Sequence, residues 1–106
     1  MDDRFGAFCP HDQVPLEGAP DGPLAGLRFA VKDLIDTKGT IACCGSPDWY
    51  ATHGPVQVNA PVVERLLAAG AGMAGKTKTV ELAFGLSGEN VHYGTPINPA
   101  ASGRFP

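Results

Sequence analysis

"GAGMAGKT", residues Gly70 to Thr77, fits the phosphate-cradling pattern G-x-x-x-x-G-K-[ST] letter for letter, and its flanks decide what it is. A phosphate loop follows a buried strand and opens a long helix, so that backbone N–H groups and the helix's positive end converge on the anion. Here that order is reversed. The preceding "NAPVVERLLAAG" (59–70) sets Val63, Leu66, Leu67 and Gly70 at the spacing of one helix face, with Glu64 and Arg65 on its polar side. Asn59 or Ala60 suits the N-cap, Pro61 the first turn, and Gly70 the position just past the end. "AGMAGKT" then reads as a short strand weakened by glycine, with Gly72 and Gly75 as close-approach positions and Lys76 solvated. "TVELAFG" reads as a second short helix ended by Gly85.

Upstream, "LAGLRFAVKDLID" (24–36) alternates Leu27, Phe29 and Val31 with Arg28, Ala30 and Lys32, which predicts a strand over Arg28–Lys32. Successive strand residues point to opposite faces, so Lys32 shares a face with Arg28 and Ala30 and stands alone at the strand's end. "TIACCGSPDWYATHGPVQ" (40–57) is rich in loop signals, with Gly45-Ser46-Pro47 as a turn and Trp49 and Tyr50 covering a small apolar surface. From Leu86 onward the chain reads as loop, because Thr95-Pro96 and Asn98-Pro99 hold the residue before each proline extended. Residues 1–21, with Pro10, Pro15 and Pro20, form an irregular lead-in, and residues 22–106 carry the informative text.

Composition bounds the function. The 106 residues make one small domain, 43% of them apolar, and 14 glycines and 10 prolines leave little room for long helices. A net charge of −3 excludes the concentrated basic face that nucleic acid or an anionic membrane surface requires. No run approaches about 18 consecutive apolar residues, and the first residues carry no signal-peptide pattern. Cys9, Cys43 and Cys44 are odd in number and two are adjacent, which argues against a disulfide framework and for a reducing, cytoplasmic setting. His11, His53 and His92 stand apart from one another without ligand spacing, so no metal is expected. Cys43 and Cys44 read as small buried thiols, and Asp33 and Asp36 as turn or cap residues.

Five strings in order, "GPLAGLRFAVKDLID", "GSPDWYATH", "APVVERLLAAGA", "GKTKTVELAFGLSGENVHYGTPINP" and "GRFP", closely resemble the amino-terminal part of the amidase signature family of serine hydrolases. The resemblance covers about residues 22 to 106. It implies an α/β fold, the amino-terminal portion of an α/β/α arrangement in which helices flank a mixed sheet and which this chain carries only in part. It also implies an amidase that cleaves a small linear carboxamide and releases ammonia, without cofactor, through a Ser-Ser-Lys triad. The family's lysine falls on Lys32. As a base it must be neutral when it acts, and since a free lysine titrates near about 10.4, that demands roughly 4 kcal/mol of differential environment near pH 7. Burial is the expected source.

The "GENVHYGTPINP" loop resembles the family's approach to its active site, making Asn90, His92 and Tyr93 candidates for shaping the pocket. Its wording resembles the branch acting on aryl or indolyl acetamides. The family's glycine- and serine-rich segment, which supplies both triad serines, is expected directly after "RFP", and neither Ser87 nor Ser102 matches those positions. The 106 residues alone are therefore expected to hydrolyse nothing. Activity would need the serines in a complete protein, a homodimer being one arrangement, or in a separate chain. Three readings compete with a small-amide amidase: a glutamine amidotransferase subunit of the same family, a non-catalytic truncated fragment, and a nucleotide binder using Lys76 and Thr77.

Overall fold

The strand expected at Arg28–Lys32 forms over those five residues (β1) and pairs in parallel with a second strand, Gly72–Thr77 (β2). The computed structural model describes residues 2–106. Between the strands the chain makes two helices, α1 (Pro47–Thr52) and α2 (Pro61–Ala68), the crossover that a parallel pair requires. One 3-10 turn, Glu81–Ala83, follows β2.

Helix α2 has the expected boundaries, with Ala60 as the N-cap and Pro61 in the first turn. Its end is a Schellman motif. Gly70 takes φ +101°, its N–H donates to the Leu67 carbonyl at 3.0 Å, and the Ala71 N–H donates to the Leu66 carbonyl at 3.1 Å. A Cβ at Gly70 would meet the Ala25 nitrogen at 2.9 Å, so glycine is needed there for both conformation and space. Gly70 to Thr77 is therefore a helix cap and a strand, and among the described residues it is followed by a 3-10 turn and not by an α-helix.

Helix α1 corrects the loop expected around Trp49. Ser46 Oγ accepts the Trp49 N–H at 3.3 Å, Pro47 opens the first turn, and Asp48 lies in it, the signature of a helix start. Trp49 covers no core: it is exposed and stacks on His53 with ring centroids 3.7 Å apart. Tyr50 stacks on His11 at 4.1 Å. The short helix expected over Thr79–Gly85 shrinks to the single 3-10 turn, because Leu82 and Ala83 take φ of 52° and 57°.

The core is small: Val31, Val63 and Met73 are buried, with Leu16, Phe29, Ile35, Ala60 and Leu67 packed against them. The lead-in contributes to it by running along the outer edge of β2, where Leu16 and Met73 exchange both backbone hydrogen bonds (3.1 and 2.8 Å). Gln13 completes that edge with its side chain, Oε1 accepting the Lys76 N–H at 3.0 Å and Nε2 donating to the Lys76 carbonyl at 3.1 Å. These antiparallel contacts are isolated bridges, and the sheet itself is a two-stranded parallel pair rather than the mixed sheet expected of the complete fold.

Candidate active site

Lys32 is the last residue of β1 and lies opposite Thr77, the last of β2. The alternation expected from sequence holds, with Val31 buried and Arg28, Ala30 and Lys32 uncovered together. Lys32 makes no ion pair among the described residues. The burial expected for it is absent here, since period-2 alternation sends it to the face opposite the core and the described residues leave that face open.

Lys76 behaves in the opposite way, and the expectation that it is solvated is overturned. It is 1% exposed and its Nζ lies 3.0 Å from Asp33 Oδ1, with Asp33 itself 2% exposed. The cause is a bulge. Phe29 pairs with Met73 but Ala30 pairs with Gly75, so Ala74 is an extra residue in β2. Without it Lys76 would stand opposite Lys32 on the open face; with it Lys76 stands opposite Val31 and points inward.

Asp33 does more than turn the chain. Its Oδ2 accepts the Cys9 thiol at 2.8 Å and the Cys43 N–H at 3.2 Å. Its N–H donates to the Thr77 carbonyl, and its own carbonyl accepts the Cys44 N–H, both at 2.9 Å. One buried carboxylate thus joins the lead-in, the end of β1, the 40s loop and β2. The Lys76 contact is an ion pair without the alignment of a directed hydrogen bond, and Nζ makes no hydrogen bond among the described residues. Sequence reading missed this cluster because a glycine-flanked bulge leaves no period to detect.

The thiols around it are held protonated, Cys9 and Cys43 buried and Cys44 half-buried. Burial, reinforced by the hydrogen bond to Asp33, pushes the Cys9 thiol far up, and burial also raises Cys43 and Cys44. A thiol held protonated is a poor nucleophile; Cys43 is the buried group expected, whereas Cys44 is only half-buried.

Asn90 is buried and fully engaged. Its Nδ2 donates to the carbonyls of Gly45 (2.9 Å) and Thr79 (3.0 Å), and its Oδ1 accepts the N–H groups of His92 (2.9 Å) and Tyr93 (2.8 Å). The Tyr93 hydroxyl takes the Cys43 thiol at 2.9 Å and meets His11 Nε2 at 3.3 Å. Burial and the Cys43 contact raise its phenol. His92 is exposed and pairs with Glu81. None of the three hydrogen-bonds to Lys32 among the described residues. Together they fold the loop that follows β2 back against Gly45 and Cys43. No helix of the described residues is long and apolar enough to cross a membrane.

The sequence and fold that carry these groups have counterparts in known proteins. Amidase 1 of Oryza sativa subsp. japonica is 46% identical over 102 residues, covering 96% of this chain and 23% of that one. A glutamyl-tRNA(Gln) amidotransferase subunit of Haloarcula marismortui is 47% identical over 91 residues, covering 86% of this chain and 21% of its own. A solved structure, described as a vestigial protein complex that reveals the evolutionary origins of an s-triazine catabolic enzyme, superposes with a TM-score of 0.75 at 42% identity, over 80% of this chain and 18% of that chain. The chain thus spans about a quarter of the length of the curated relatives it matches. The Amidase family model matches residues 11–106, so the match takes in the second half of the lead-in as well as the strands, helices and loops described above, and the chain belongs to the Amidase family.

Proposed function

We propose that this chain supplies the base of a serine-dependent amidase, and that Lys32 is that base. The observation that carries the reading is the contrast at the strand ends: Lys76 is paired inside the fold with Asp33, while Lys32 stands uncovered where β1 ends and makes no ion pair among the described residues. In open α/β sheets ligands bind outside the carboxyl ends of the strands, and Lys32 is placed there. As a neutral amine, Lys32 Nζ takes the proton of a bridging serine as that serine takes the proton of the nucleophilic serine. The nucleophile's oxygen bonds to the carboxamide carbon, the C–N bond breaks, and the nitrogen leaves as ammonia after regaining a proton from the bridging serine. Water then cleaves the acyl-serine ester. Both serines come from a longer form of the protein or from a second chain. Elements closing over the open face would supply the burial that a neutral Lys32 requires.

Asn90, His92 and Tyr93 are the proposed pocket-shaping residues, a reading supported by the way Asn90 holds the backbone of His92 and Tyr93 in the loop after β2. Small aryl or indolyl acetamides are the proposed substrates, in a cytoplasmic setting that suits three free cysteines. A glutamine-hydrolysing amidotransferase subunit is the second reading, supported by the 47% identity to the Haloarcula marismortui protein. The deciding experiment measures ammonia release by the intact protein from its source, offered phenylacetamide, indole-3-acetamide and glutamine. Release from an arylacetamide supports the first reading, and release from glutamine alone the second. No release from any of them contradicts both.

A further inference from the structure

We propose that the buried Asp33–Lys76 pair is the positioning element for Lys32, an inference that rests on the reading of Lys32 as the base. Lys32 is exposed, its side chain is unpaired among the described residues, and a lysine side chain is flexible, so its point of attachment is what the fold can fix. That point is held from the next residue. The Asp33 N–H is tied to the Thr77 carbonyl at 2.9 Å, and its carboxylate meets Lys76 at 3.0 Å, the Cys9 thiol at 2.8 Å and the Cys43 N–H at 3.2 Å. The peptide that carries Lys32 into the loop is thereby fixed to β2 and to two other segments.

The bulge at Ala74 makes this arrangement possible. It moves Lys76 from the position opposite Lys32 to the position opposite Val31, which removes a second cation from the open face and delivers it to Asp33. A buried ion pair is a costly way to stabilise a fold, because desolvation offsets most of the attraction. Its retention here, one residue from Lys32, fits a demand for geometry.

The test uses the intact protein in a form that releases ammonia from a carboxamide. Asp33→Asn alone leaves a buried, unpaired ammonium and is expected to fold poorly, so the informative variant is the doubly neutral Asp33→Asn/Lys76→Met. If the pair positions Lys32, the double variant folds with near-native stability, its kcat falls at least about 30-fold with KM within threefold, and the acidic limb of its pH–rate profile moves. Lys76→Arg, which keeps the pair, retains most of the wild-type kcat. A folded double variant with wild-type kcat and pH profile overturns the proposal. Should the double variant not fold, Cys9→Ala withdraws one donor from Asp33 Oδ2 without touching either charge; a several-fold drop in kcat at constant KM supports the proposal and an unchanged kcat overturns it. Lys32→Ala, measured alongside, separates the two ideas. Turnover retained in that variant means the base itself is misassigned, whereas an inactive Lys32→Ala beside a fully active double variant means only the pair's role is wrong.

Discussion

The carboxyl ends of β1 and β2 and the stretch from Leu82 to Phe105 are built on opposite plans. At the strand ends, charged and polar groups are turned inward: Asp33, Lys76, Thr37 and Thr40 are all buried. In the later stretch Phe84, Leu86 and Val91 are almost wholly exposed, with Ile97 and Phe105 largely so. The apolar groups face water, and a single buried amide, Asn90, holds the backbone. The first region is closed by contacts within the chain, and the second has its internal hydrogen bonds but not its cover. Lys32 belongs to the closed region by its backbone, at the end of β1 opposite Thr77, and its side chain is exposed.

Four perturbations probe that contrast, in order of expected size. Lys76→Met leaves the Asp33 carboxylate buried without its cation, which is expected to cost about 4 kcal/mol in denaturant unfolding; a loss under about 1 kcal/mol would show that the pair does not close the strand ends. Asn90→Ala orphans the Gly45 and Thr79 carbonyls and two N–H groups, a loss of about 3 kcal/mol, seen also as faster hydrogen exchange at His92 and Tyr93. Unchanged exchange there would break the claim that Asn90 holds the loop.

The third concerns pH. The Cys9 thiol is raised in the fold above its ordinary value of 9.0, so the folded state keeps a proton that the unfolded chain releases. Its contribution is fully present below about pH 9 and is lost as pH rises beyond it, at up to about 1.4 kcal/mol per pH unit. Cys9→Ala is expected to flatten that alkaline loss, and an identical slope in the variant would refute the assignment. The smallest effect is Phe84→Ser, expected to change stability by less than about 0.5 kcal/mol because the ring packs on nothing. A large loss would mean the later stretch is covered in solution.

How far the sequence reveals this molecule differs by element. Strand β1 is legible residue by residue because its alternation is strict, and the end of α2 is legible because glycine at a Schellman position has a local cause. Helix α1 carries an ambiguous signal: Ser46, Pro47 and Asp48 start a helix, yet the same residues also read as a turn. Lys76 defeats the sequence pattern because one extra residue, Ala74, reverses the face of everything after it in β2, and a glycine on either side of Met73 and Ala74 hides the change. The Cys9, Asp33 and Lys76 cluster joins residues up to 67 positions apart in the chain (9 to 76), a distance over which local pattern says nothing. Asn90 stands out in sequence only through its loop, and its four hydrogen bonds become visible only in three dimensions.

The most direct test of the account is ammonia release by the intact protein and its Lys32→Ala variant, with circular dichroism confirming that both are folded. The variant is expected to keep its fold and stability, since Lys32 is exposed and makes no ion pair among the described residues, while its turnover falls by several orders of magnitude. Turnover within tenfold of wild type would contradict the assignment of Lys32 as the base.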